Sequence, residues 1–229
     1  MKNMEWKMWV RSLRGTRHRK KGMMNQDQYF CEKRGNQISV VLVDGIGKTD
    51  ITAKAGKRVS ELTATFFHEM SEFIREADEY TIAYNLVRRV QRLLDQMSKE
   101  YHVEQRELSS TLLAIYLDPE EDYYVACHLG DGVIAVSEDN QKIHIVFEPQ
   151  KGVRPNETIL TTSDTALGNM RVRRASLGNI KTFVMATDGF YNTRDDKKAL
   201  KNVFMDATKD DKMEEKMDDQ TIIKLFGGI

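Results

Sequence analysis

The sequence predicts an α+β fold built on antiparallel sheets, and three observations lead there. Two long segments with helical periodicity follow one another, and a series of short apolar runs separated by turn residues comes after them. Strands and helices do not alternate regularly, as a doubly wound parallel sheet would require. At 229 residues the chain can bury a sizeable core, and its length fits one domain of above-average size, residues 1–229, better than two small ones.

The first element is Ile38 to Val43, a β-branched run that stops at Asp44-Gly45, the pattern of a buried strand ending in a turn. Ala55, Val59, Leu62, Phe66, Met70 and Phe73 then recur every three or four residues, and Ile82, Leu86, Val90, Leu94, Met97 and Tyr101 do the same. Each set is one apolar helix face seeking a surface to cover. Four apolar runs follow: Thr111 to Leu117, Tyr123 to Leu129, Val133 to Val136 and Ile143 to Phe147, separated by Asp-Pro, Gly-Asp-Gly and Asp-Asn turn chemistry. They read as an antiparallel meander. Phe183 to Ala186 is a further strand ending at Asp188-Gly189, and a mostly polar helical segment leads to a last strand, Thr221 to Leu225.

Composition narrows the function classes. Lys plus Arg and Asp plus Glu each total 35, so the formal charge is zero, which argues against a nucleic-acid or anionic-membrane surface. Two cysteines, Cys31 and Cys127, sit among apolar neighbours and read as buried thiols, too few for a disulfide framework and unsuited to a zinc site. Charges interrupt the apolar residues near the N-terminus, and no run has the length of a signal peptide or membrane span, so a cytoplasmic location is the expectation.

Four acidic positions share one context: Asp44 in VVLVDG, Asp131 in HLGDG, Asp188 in VMATDG, and Asp218 just before TIIKL. A single Asp-Gly after a strand is usually a turn, because Asp caps its own backbone and Gly accepts positive φ. If several such carboxylates converge, each pair at ~4 Å repels by about 4 kcal/mol at an effective dielectric near 20. Cations between them would offset that cost. All-oxygen ligation favours Mg²⁺ or Mn²⁺ over Zn²⁺, and such a centre can activate water near neutral pH.

Read in order, GTRHRKKGMMNQD (15 to 27), VVLVDGIG (40 to 47), SSTLLAIYL (109 to 117), HLGDG (128 to 132), VMATDGFYN (184 to 192) and DDQT (218 to 221) resemble the protein phosphatase 2C family over nearly the whole chain. The resemblance implies two antiparallel sheets stacked as a sandwich with helix pairs on both outer faces. It implies hydrolysis of phosphoserine and phosphothreonine on protein substrates by a metal-bridging hydroxide, with two Mg²⁺ or Mn²⁺ ions and a place for a third. A serine/threonine kinase pathway would then stand opposite. In the metal set, Asp44 resembles the bridging carboxylate, the Gly45 carbonyl an additional ligand, and Asp188 and Asp218 the completing pair. Asp27 would act through bound water, and Asp131 with Asp188 would hold the third ion. Asp219, beside a ligand position, is expected either to be a solvated carboxylate or to share a metal role. Gly47 and Gly189 are expected to serve backbone shape, and Met23 and Met24 either to shield the centre or to pack beneath it, with packing the expectation.

The sequence departs from the family pattern where an arginine usually precedes the acidic block: Gly22 and Met23 stand there. Arg17, His18, Arg19, Lys20 and Lys21 lie slightly upstream, in a Gly-x-x-His and Gln-Asp arrangement like that of a variant subgroup. His18 suits protonation of the leaving oxygen, and Arg17 or Arg19 could clamp phosphate bidentately. The alternative for all three is a solvated charge run. Lys48 stands where a glycine is common and Gly132 where serine is usual, and the short interval between the GD and TDG blocks implies a short flap. A non-catalytic phosphoprotein-binding relative and a small-metabolite phosphatase remain as alternative functions.

Overall fold

Segments that read as unbroken apolar runs are strands buried on both faces. The structure, a computed structural model, describes residues 5–150, 158–191, 196–205 and 216–228. In chain order it forms β1 (Glu5–Leu13), α1 (Thr16–Lys20), β2 (Asp27–Arg34), β3 (Gln37–Asp44), α2 (Asp50–Glu69), α3 (Ser71–Glu76) and α4 (Glu79–Tyr101). A 3-10 turn leads to β4 (Leu112–Asp118), β5 (Tyr123–Leu129), β6 (Val133–Ser137), β7 (Ile143–Phe147), α5 (Ala166–Asn169), β8 (Arg171–Ser176), β9 (Thr182–Ala186), α6 (Asp196–Met205) and β10 (Gln220–Gly228). The strands make two five-stranded antiparallel sheets, ordered β2-β3-β4-β5-β8 and β1-β10-β9-β6-β7.

Alternation within the runs assigns each side chain to a layer. Ile38, Val40 and Leu42 of β3 and Leu113, Ile115 and Leu117 of β4 meet Ile134, Phe183, Met185, Ile223 and Leu225 of the second sheet in the central core. The intervening residues, Val41, Val43, Ala114 and Tyr116, point outward and are covered by Val59, Phe66 and Phe67 of α2 and Ile82, Leu86 and Val90 of α4. On the opposite outer face, Val133, Ala135, Val184 and Ile222 lie under Leu200 and Phe204 of α6 together with Phe190 and Tyr191. Among the described residues, α6 is the one long helix on that face. None of the described helices is long and apolar enough to cross a membrane.

Three sequence expectations change. The four-strand meander does not form, because β5 and β6 lie in different sheets: β5 pairs with β4 and β8, whereas β6 pairs with β7 and β9. Turn chemistry at Gly130-Asp131-Gly132 signals a reversal, but here the reversal carries the chain from one sheet to the other. The first predicted helix breaks at Met70, whose φ and ψ of −110° and 19° leave the helical region, so Phe73 belongs to α3. Both cysteines are free, with Cys127 buried but Cys31 only partly so. The strands β1, β2 and β8 had no sequence signal, being sheet-edge segments dense in polar and charged residues.

Candidate metal centre

The two sheets open at one end into a cleft of about 390 Å³ lined by Asp44, Asp131, Asp188 and Asp218. Each carboxylate arrives at a strand terminus: Asp44 ends β3, Asp131 lies in the β5–β6 crossing, Asp188 follows β9, and Asp218 precedes β10. Asp27 starts β2 directly opposite Asp44 in the strand register. It is only 3% exposed and is not among the cleft-lining residues. Its Oδ2 accepts the Thr187 hydroxyl at 2.9 Å, while Oδ1 has no hydrogen-bond partner among the described residues.

Burial and mutual repulsion dominate the electrostatics. Burial chiefly, against hydrogen bonds from Thr221 and Thr187 and aided by the charges of Asp219 and Asp188, raises the Asp27 pKa to about 7. Burial, then the charges of Asp131 and Asp218, raises Asp188 to about 6. Asp44 is pushed well above the usual carboxylate range by burial and then by Asp27, Asp188, Asp131 and Asp218. A group of carboxylates that cannot all ionise alone is a group suited to cations. Among the described residues no three His, Cys, Asp or Glu side chains close on one point as a finished cage. Carboxylates facing a shared cleft suit Mg²⁺ or Mn²⁺, which keep several waters and take few protein oxygens. The unpartnered Asp27 oxygen and the all-oxygen donor set fit that class of ion.

Close backbone contact draws the ligands together. A Cβ on Gly189 would lie 1.8 Å from the Asp219 carbonyl oxygen, and one on Gly15 2.4 Å from the Asp218 carbonyl carbon. A Cβ on Gly47 would meet the Thr52 hydroxyl at 1.7 Å. None of these three glycines has a positive φ. Gly47 and Gly189 are therefore required for close approach and not for an unusual backbone shape. Near Asp131, whose Oδ2 accepts the Thr158 hydroxyl at 2.6 Å, the His128 ring holds the Gly132 carbonyl at 2.8 Å. Burial, with Arg171 against the ring, lowers the His128 pKa to about 4 and keeps it neutral for that role.

Within the basic segment Arg17, Arg19, Lys20 and Lys21 are exposed, as a solvated run would be, and His18 is the exception. His18 is 4% exposed, lines the cleft, and shares a 2.9 Å hydrogen bond between Nδ1 and Asp219 Oδ2. Arg17 also lines the cleft and pairs with Asp218 at 3.1 Å, whereas Arg19 is not among the lining residues. Asp219, read in sequence as either solvated or a metal ligand, is 3% exposed, does not line the cleft, and accepts the Gly15 and Gln26 backbone N–H groups, each at 2.6 Å. Partners about 200 residues away decide its burial, which no local pattern could reveal. Met23 lines the cleft and Met24 is 45% exposed, so neither packs beneath the centre. Sequence reading assigned no site role to Lys21, Lys48, Ile46 or Thr158, which complete the lining. Lys48 was visible as a departure from the family pattern, and its positive charge beside the aspartates was the available signal.

Comparison with known proteins bears on the family and the fold. The family profile described as Protein phosphatase 2C matches residues 14–220. No curated protein matches the chain in sequence. Among solved structures, the serine/threonine phosphatase PstP/Ppp of Mycobacterium tuberculosis superposes with a TM-score of 0.65 at 14% identity, covering 96% of this chain and 98% of that one. Serine/threonine phosphatase Stp1 from Staphylococcus aureus gives 0.63 at 14% identity, with coverages of 97% and 94%. RsbX, solved in complex with magnesium, gives 0.56 at 11% identity, with coverages of 100% and 98%. At these identities the structural likeness speaks for the fold.

Proposed function

This chain belongs to the protein phosphatase 2C family of phosphoprotein phosphatases, and on that premise we propose that it hydrolyses phosphoserine and phosphothreonine on protein substrates with Mg²⁺ or Mn²⁺ at the carboxylate cleft. The observation that carries the reading is the set of partly buried aspartates, Asp44, Asp131, Asp188 and Asp218, whose charges oppose one another around a shared cleft. Asp44, Asp188, Asp218 and the Gly45 carbonyl would hold two ions, Asp27 would act through water, and Asp131 with Asp188 would hold a third. Ions bound there supply an acidified water and positive charge against the phosphate oxygens.

The protein's own groups do the remaining work. Arg17, Lys21 and Lys48 line the cleft and draw in a phosphate dianion, and Arg17 can turn from Asp218 toward it. His18 faces the cleft with one ring nitrogen already engaged, which leaves the other to deliver a proton to the leaving oxygen. Met23 and Ile46 add an apolar rim for the residues beside the phosphorylated one. Residues 1–229 act in this reading as one catalytic domain, removing what a serine/threonine kinase adds.

The test is Mn²⁺-dependent phosphate release from p-nitrophenyl phosphate and a phosphothreonine peptide, with Asp44→Ala and a chelator as controls. Turnover by the wild type alone supports the reading. A protein that binds Mn²⁺ but releases no phosphate from either ester refutes it.

A further inference from the structure

We propose that Asp219 aims His18 at the oxygen that leaves with the substrate's serine or threonine; this rests on the phosphatase reading above and adds a positioning residue to it. Asp219 follows Asp218, yet the two side chains diverge: Asp218 lines the cleft and Asp219 does not. The Asp219 carboxylate is enclosed, with Oδ1 accepting from the Gly15 N–H and Oδ2 from the Gln26 N–H and from the His18 ring. Gly15 immediately precedes α1 and Gln26 lies a few residues beyond it, so one carboxylate closes both ends of the loop that carries His18.

The backbone around His18 is equally held. Thr16 and Arg17 donate N–H groups to the carbonyls of Lys216 and Met217, and the His18 carbonyl accepts from Lys21 and Met23. Gly15 lies so close to the Asp218 backbone that no side chain fits between them. The Asp219 carboxylate therefore cannot turn away without stranding two buried backbone donors, and the imidazole bonded to it is fixed in the same way. With the Nδ1 proton given to Asp219, Nε2 is the nitrogen left for the cleft that His18 lines.

In the reaction a bond from water oxygen to phosphorus forms while the bond from phosphorus to the serine or threonine oxygen breaks. The leaving oxygen keeps the bonding pair and takes the Nε2 proton, and the ring regains a proton from the attacking water. Ester plus water thus becomes alcohol plus phosphate with no net change at His18. Asp219 touches neither ester nor water, and its effect passes through the ring it holds.

Leaving-group dependence separates this role from a structural one. Turnover at saturating Mn²⁺ is measured for the wild type, His18→Gln, Asp219→Asn and the double variant. The substrates are p-nitrophenyl phosphate, phenyl phosphate and a phosphothreonine peptide, whose leaving oxygens are increasingly basic. His18→Gln is expected to lose roughly 10²-fold on the peptide and under about tenfold on p-nitrophenyl phosphate, since a good leaving group needs little protonation. Asp219→Asn should show the same gradient, and the double variant none steeper than His18→Gln. An equal loss on all three esters by either single variant overturns the proposal while leaving the phosphatase reading intact. Absent p-nitrophenyl phosphate turnover in Mn²⁺-bound wild type overturns both. Should Asp219→Asn not fold, the wild type decides: a downfield ring N–H proton signal that His18→Gln removes supports the Asp219 bond, and its absence overturns it.

Discussion

Asp27 and Asp219 are equally buried, each 3% exposed, yet they occupy opposite electrostatic situations. Asp219 is surrounded by three donors from one loop, Gly15, His18 and Gln26. Asp27 faces Asp44 across a strand pair, keeps one oxygen unpartnered, and has its pKa raised to about 7. Burial alone therefore does not assign a carboxylate's role; what it is buried among does. The Asp219 carboxylate has its partners without any ion, whereas the Asp27 and Asp44 region keeps an unpartnered oxygen and opposed charges that added positive charge would offset.

The contrast can be broken by experiment. The largest effect should come from Asp44→Ala, which removes the central carboxylate and should reduce Mn²⁺-dependent turnover by roughly 10³-fold or more, at the upper end of what single electrostatic groups contribute. Retained turnover would mean the cleft carboxylates are not the centre. Asp219→Ala strands two backbone donors and the His18 ring, and should lower unfolding free energy by about 3–5 kcal/mol in urea titrations. That loss should be the same with and without Mn²⁺. A loss below about 1 kcal/mol would erase the distinction between the two regions.

Acid should affect the two regions differently as well. In the metal-free protein, Asp27 and Asp188 have folded pKa values of about 7 and about 6, above the ordinary carboxylate value of 3.8. Between those limits the folded state binds more protons than the unfolded state, so stability falls as pH rises through the window and is recovered on acidification. We expect up to about 4 kcal/mol of added stability at pH 5 relative to pH 8, read from urea midpoints, and a flatter profile with Mn²⁺. Asp27→Asn gives the smallest effect. It removes one opposed charge and should stabilise the metal-free protein at pH 8 by about 1 kcal/mol while shrinking the stabilisation by Mn²⁺. Destabilisation by this substitution would show that Asp27 is held as Asp219 is.

The parts of this molecule legible in sequence are those whose physics is local. β3 and β9 announced themselves because strands buried on both faces must be apolar throughout, and α4 because its buried face repeats every three or four residues. β1, with the sequence EWKMWVRSL, lies at a sheet edge, so half of its surface faces water and its pattern is blurred by charge. The crossing at Gly130 to Gly132 misled for a related reason, since turn residues encode a change of direction but not which strand the chain meets next. The cleft aspartates were legible as a repeated strand-end motif. Asp219 was not, because its three donors come from Gly15, His18 and Gln26 at the far end of the chain.

The pairing of β1 with β10 joins residues 5–13 to residues 220–228 in an unbroken register. In a ribosome-bound chain β1 emerges long before its partner, and at 5–20 residues per second the wait is roughly 10–40 s. Through that interval Trp6 has no completed sandwich to enter, and the His18 loop has no Asp219 to anchor it. β1 must therefore be kept from other edge strands until synthesis reaches residue 220, and the cleft is assembled only once β10 has been made.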